Sequence, residues 1–200
     1  MDLFEIGKTN NIKRDKFISR FFGIFSEEIA NIYFCSPYSE YTNLGRPNIS
    51  INNKQYILDF TLKNKNNGKI YICEMKCEMQ YMNYKRLELN DVSQIHSHKK
   101  EAFKVFLDIA KNAENYVIKI GKDMINANGI ILLWGKITRK TEKIKYIKEY
   151  FNISDILSLE DMINIMNNKN YKEYLVFLDE KKIWVNSFFD SILKGNKNEN

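Results

Sequence analysis

The strongest constraint in this chain is a pair of β-rich segments that carry charges where a buried strand should have none. Tyr56-Ile57-Leu58-Asp59-Phe60-Thr61-Leu62 and Lys69-Ile70-Tyr71-Ile72-Cys73-Glu74-Met75, with Lys76 directly after, are short, largely apolar and separated by the polar Asn/Gly run 64–68, which predicts a hairpin. Side chains alternate between the two faces of a strand. Ile70, Ile72 and Glu74 therefore share one face with Lys76, while Tyr71, Cys73, Met75 and Cys77 share the other. Both faces are largely apolar, so an ordinary solvated ion pair on a strand is out of pattern. A charge set against buried surface needs a counter-charge, hydrogen bonds or a cation, and the same holds for Asp59 between Leu58 and Phe60.

The rest of the chain supplies helices to cover such a sheet. Residues 13–33 place Phe17, Ile18, Phe21, Phe22, Ile24, Phe25, Ile29 and Ile32 on one side of a 3.6-residue period. Pro37, Gly45 and Pro47 then break the chain into a loop, and residues 49–51 read as a strand with Asn52-Asn53 as its turn. Residues 91–110 predict one amphipathic helix with Lys99, Lys100 and Lys104 toward solvent or a ligand. The stretch 116–126 is open between strand and short helix. Residues 130–137 begin as an unbroken apolar run, as a strand covered on both faces would. Helices are expected over 140–150 and over 159–166, the latter with Ser158 as its cap and Asp161 three residues on. A late hairpin is expected from 174–179 and 183–185 about Glu180-Lys181-Lys182, then a helical turn over 188–193 and a frayed polar end over 195–200. Together these elements predict an α/β fold, a central mixed β-sheet flanked by helices, in one domain over 1–194.

Composition narrows the partners. An excess of 31 Lys and Arg over 25 Asp and Glu gives a net charge of +6, which permits a polyanionic partner without requiring one. No apolar run is long enough to span a bilayer, and Met1-Asp2-Leu3-Phe4-Glu5 lacks the basic-then-apolar order of a secretory signal, so the expectation is a cytoplasmic protein without a membrane partner. Three cysteines, Cys35, Cys73 and Cys77, argue against a disulfide framework, and the two histidines, His96 and His98, lack the spacing of a zinc finger.

Two carboxylates and a lysine at neighbouring strand ends are the makeup of a divalent-cation site for phosphodiester hydrolysis. Asp59 and Glu74 can share the cation, the carbonyl of Met75 can add a ligand, and Lys76 can orient or deprotonate the attacking water and offset charge in the transition state. With Asp59 as the motif aspartate and Glu74-Met75-Lys76 as Glu-x-Lys, the chain resembles the PD-(D/E)xK nuclease superfamily over roughly residues 13–106. The resemblance implies a restriction-endonuclease-like fold, Mg²⁺ (Mn²⁺ as substitute) as cofactor and DNA as substrate. It also implies an endonuclease in a restriction, defence or mobile-element setting, and an additional acidic ligand from the first helix. Glu28 has the right distance for that ligand, with Glu27 and Glu5 behind it. Leu58 stands where the superfamily has proline. Gln94 loosely matches the glutamine of RecB-like members, but His98 occupies the position of their tyrosine.

Around this centre, Gln94 and His98 lie one helical turn apart and can face water or phosphate at the site. Lys85, Arg86, Lys99 and Lys100 are candidates for phosphate contact. Arg46 can clamp a phosphate or pin its loop to a carboxylate. Tyr81 and Tyr84 are open between base stacking and packing, whereas Trp134 and Trp184 are expected in the core. Sequence-specific cutting calls for a homodimer or an added reader, which residues 139–170 could supply. The alternatives are a catalytically inactive nucleic-acid-binding module and a protein-interaction adaptor with the same fold.

Overall fold

The computed structural model describes residues 12–77 and 88–195. The chain divides into two compact units, the first ending at Ile163 and the second beginning at Asn164. The first opens with helix α1 (Ile12–Cys35), followed by strands β1 (Tyr41–Asn43), β2 (Asn48–Ile51), β3 (Lys54–Ile57), β4 (Phe60–Asn64), β5 (Ile70–Lys76) and β6 (Glu88–Leu89). Helices α2 (Val92–His96) and α3 (Glu101–Asn112) come next, then β7 (Ile118–Ile120), β8 (Asp123–Ile125), β9 (Ile130–Trp134) and β10 (Lys136–Ile137). Helix α4 (Thr141–Phe151), β11 (Asp155–Ser158) and α5 (Leu159–Asn168) follow, α5 running across the boundary between the units. Helix α6 (Lys172–Gly195) makes up most of the described part of the second unit. No helix among the described residues is long and apolar enough to cross a membrane.

The protein has a mixed α/β fold with a central sheet flanked by helices. That sheet has the order β1-β4-β5-β9-β11. The pairs β1/β4 and β4/β5 are antiparallel, whereas β5/β9 and β9/β11 are parallel. Strand β5 is thus central, which explains why both of its faces are apolar. Phe34 of α1 packs edge-on against Phe60, with ring centroids 5.5 Å apart, on one side of the sheet. On the other side, Phe103, Phe106 and Ile109 of α3 join Ile72, Ile130, Leu132 and Trp134 in a fully buried cluster. A second sheet, β3-β2-β7-β8, and the short parallel pair β6/β10 complete the first unit.

Local chemistry accounts for most of these boundaries. Asn52 (φ 48°) and Asn53 (φ 62°) both take the left-handed conformation demanded by the two-residue turn between β2 and β3. In the β4/β5 turn, the Asn64 side-chain oxygen accepts from the backbone of Asn66 at 2.9 Å and of Asn67 at 3.1 Å. Ser158 caps α5 as expected, its hydroxyl accepting from the Asp161 N–H at 3.2 Å. Gly129 enters β9 at φ +151°, and a Cβ there would lie 2.3 Å from Ser154 Oγ. The serine hydroxyl can turn aside, but the backbone conformation cannot relax. Gly129→Ala should therefore cost about 1–2 kcal/mol of stability, read from chemical denaturation, through strain at this one residue.

Several elements differ from the sequence reading. The segment 56–62 is two strands, because the chain crosses from the small sheet to the central one at Leu58 and Asp59; Leu58 is buried and its N–H bonds to the Pro47 carbonyl at 3.2 Å. The single helix expected over 91–110 is two helices. The Ser97 hydroxyl bonds back to the Gln94 carbonyl at 2.7 Å and closes α2, which leaves 97–100 as a connector. Residues 116–126 resolve into the β7/β8 hairpin. Gly135 ends the run from Ile130, so β9 and β10 belong to different sheets. The hairpin expected over 174–185 is instead part of α6. Its buried residues Tyr174 and Phe177 are three apart, a helical spacing, and Glu180-Lys181-Lys182 contains no turn former. Trp134 is core, as expected, but Trp184 is 57% exposed on α6. Within 139–170, β11 is the parallel edge strand of the central sheet.

Candidate active site

The antiparallel register of β4 and β5 pairs Phe60 with Cys73, so one step further along it sets Asp59 opposite Glu74. The two carboxylates meet because the hairpin turn fixes that register. Asp59 Oδ2 accepts the backbone N–H of Met75 at 2.7 Å, which ties the entry of β4 to the end of β5. Lys76 shares the face of Glu74 and ion-pairs with its Oε1. The ammonium also donates to the Met75 carbonyl at 3.1 Å. On the other flank, parallel β9 sets Leu132 beside Glu74 and Trp134 beside Lys76, both without solvent exposure of consequence.

Glu74 is 8% exposed. Burial raises its pKa to about 7. Lys76 pulls it down by charge and hydrogen bonding, while the Asp59 carboxylate pushes it up. Burial likewise holds the Cys73 thiol protonated on the opposite face of β5, with Asp59 and Glu74 adding to that effect. The Asp59 carboxylate beside buried Glu74 adds to the cost of a charge on Glu74, and a divalent cation relieves that repulsion. The donor set fits such a cation. Asp59, Glu74 and the Met75 carbonyl offer hard oxygens of the kind Mg²⁺ or Mn²⁺ takes.

This arrangement gives a pH dependence with a defined sign. The folded pKa of Glu74 lies above its ordinary value of 4.5, so between about 4.5 and 7 the folded state binds more protons than the unfolded one and stability falls as pH rises. Relative to Glu74→Gln, the metal-free protein should lose on the order of 3 kcal/mol across that window. Mg²⁺ should restore more stability above pH 7 than at pH 5, a difference measurable as the shift in melting temperature on adding the ion.

Beside the pair lies a cleft of about 390 Å³ lined by Met75, Lys76, Cys77, Ser97, His98, Lys99 and Lys100. The break between α2 and α3 brings residues 97–100 here. Lys99 and Lys100, the candidates for phosphate contact, are exposed and line this cleft. His98 lines it too, but its ring is packed against Phe103 and Trp134, with centroids 5.1 and 5.7 Å away.

Other expected site residues lie elsewhere. Gln94 is buried and serves the backbone: its side-chain oxygen accepts from Asn90 at 2.8 Å and Asp91 at 3.0 Å, and its amide donates to the Glu88 carbonyl at 2.8 Å. With Asp91 it forms the capping box of α2, a signal readable in Asp91-x-x-Gln94. Arg46 ion-pairs with Glu27, so it pins its loop to α1. Glu28 is half-buried on α1, and among the described residues no three His, Cys, Asp or Glu side chains gather into one cation-holding cluster. Glu5, Tyr81, Tyr84, Lys85 and Arg86 lie outside the described residues, as does 196–200 of the expected tail. Cys35 is exposed, Cys73 buried and Cys77 half-buried, and no disulfide joins any of them among the described residues. The residue that the sequence reading missed is Phe103, whose ring centroid is 4.9 Å from the Lys76 ammonium and whose helical position signalled only core.

Fold and site together define an α/β protein with an opposed carboxylate pair and a lysine at the mouth of a basic cleft. No family model, no curated protein and no solved structure matches the chain.

Proposed function

We propose that this protein is a Mg²⁺-dependent deoxyribonuclease with a restriction-endonuclease-like fold, acting as an endonuclease by direct attack of water on a DNA phosphodiester. The observation that carries this reading is Asp59 opposite Glu74 across β4 and β5, with Lys76 on the same face and lysines along the adjoining cleft. The order β1-β4-β5-β9, antiparallel up to β5 and parallel beyond it, supports the superfamily resemblance.

Asp59, Glu74 and the Met75 carbonyl are the groups that would hold the ion. When bound, it supplies Lewis-acid stabilisation of charge on the phosphoryl oxygens. Lys76 orients the attacking water and offsets negative charge as the water oxygen bonds to phosphorus and the bond to the leaving oxygen breaks. Trp134, Leu132 and Phe103 exclude solvent behind the lysine, which strengthens its electrostatic effect. Lys99 and Lys100 sit where flanking phosphates of a polyanion would lie.

The test is cleavage of labelled linear, circular and single-stranded DNA with Mg²⁺, with Mn²⁺ or with EDTA. Cutting that needs the ion and extends to circular DNA is the expected result. A folded protein that binds DNA and cuts none of these substrates would make it a binding module, and one that does neither would favour an adaptor or an RNA-specific enzyme.

A further inference from the structure

Lys76 depends on more than its carboxylate partner. Its ammonium lies over the Phe103 ring, 4.9 Å from the centroid, while bonded to Glu74 and the Met75 carbonyl. Phe103, on the first turn of α3, is 1% exposed. Neighbouring rings hold it in orientation. The His98 centroid is 5.1 Å from it and the Phe106 centroid 5.5 Å, and His98 in turn meets Trp134 at 5.7 Å. Trp134 stands in register with Lys76 on the next strand. The aromatic chain therefore starts and ends at the same rung of the sheet.

We propose that Phe103 is a positioning residue for Lys76, its ring face keeping the ammonium beside the carboxylate pair. The catalytic consequence rests on the nuclease reading above, whereas the contact itself does not. The physical need is specific. A lysine has four rotatable carbons and will follow the nearest anion. Once the charge of Glu74 is shared with a cation, that anion weakens, and the ring's negative face remains as a partner that no cation consumes. Without it the side chain can swing into the cleft toward Cys77 and Ser97.

Two variants test this: Phe103→Leu, which removes the ring, and replacement of Phe103 by pentafluorophenylalanine, which keeps the shape and inverts the charge of the face. Both should lower kcat roughly tenfold with KM for DNA nearly unchanged, the scale of a desolvated cation–π contact. A second readout needs no turnover. In lysine-labelled protein the Lys76 ε-methylene proton signals, assigned by their loss in Lys76→Arg, should lie upfield under the ring and return to the position of exposed lysines in Phe103→Leu. Signals that do not move overturn the contact. A ring-shifted signal with kcat unchanged in the fluorinated variant overturns the positioning role. If the wild type cuts no DNA while the signals behave as expected, the nuclease reading fails, and Phe103 has no catalytic role to position.

Discussion

If the proposed nuclease site is right, Glu74→Gln should reduce Mg²⁺-dependent cleavage by about a thousandfold or more, since it would remove one of the two charged groups proposed to hold the ion. It should do so without harming the fold. Glutamine has the same shape, and the charge it removes is the one that burial disfavours, since Glu74 is 8% exposed with its pKa pushed up to about 7. Above pH 7 and without metal, the variant should therefore be at least as stable as the wild type. The combination is diagnostic: a structural ion pair on a strand would lose stability with the change and leave no activity to lose. Single-turnover cleavage and denaturant unfolding on the same preparation would separate the two cases.

Lys76→Met should lower kcat by a hundredfold or more, the scale on which removing one transition-state charge partner or one acid–base group acts. Unlike the change at Glu74, it should also destabilise the metal-free protein. Lys76 is the counter-charge of a buried carboxylate, and removing one member of a buried pair leaves the other uncompensated. Protonation of Glu74 limits the loss, so the cost should be small at pH 5 and grow to roughly 2–3 kcal/mol above pH 7. Combining it with Glu74→Gln should recover most of that stability and none of the activity. Urea unfolding of the two single variants and the double variant at both pH values measures this coupling directly.

The heart of the site was legible because it depends on local rules. An Asn/Gly turn joins two strands, a period of two places Glu74 and Lys76 on one face, and the hairpin brings Asp59 alongside. What surrounds it depends on tertiary contacts that no short window contains. Tyr56 to Leu62 looks like one apolar strand, yet its halves belong to different sheets, and the crossover at Leu58 is what frees Asp59 to stand at a strand entrance. Residues 91–110 carry one continuous apolar stripe, so only the Ser97 hydroxyl on the Gln94 carbonyl marks the break that opens the cleft. Gln94 was drawn toward the site by its resemblance, although its spacing from Asp91 fits a cap equally well. Arg46 has Glu27 nineteen residues away in sequence as its partner, and Phe103 meets Lys76 across two elements. Neither pairing leaves a trace in composition or periodicity. In α6 the β-rich wording of Tyr174 to Asp179 masked the helical spacing of the residues it buries.

The proposed chemistry requires that Asp59 and Glu74 together hold a divalent cation. The most direct measurement is Mn²⁺ binding followed by electron paramagnetic resonance near pH 8, where Glu74 is ionised, in the wild type and in Asp59→Asn/Glu74→Gln. The wild type should take up the ion saturably and release it to Mg²⁺, and the double variant should take up none. Equal binding by both proteins, or none by a folded wild type at millimolar ion, would contradict that chemistry.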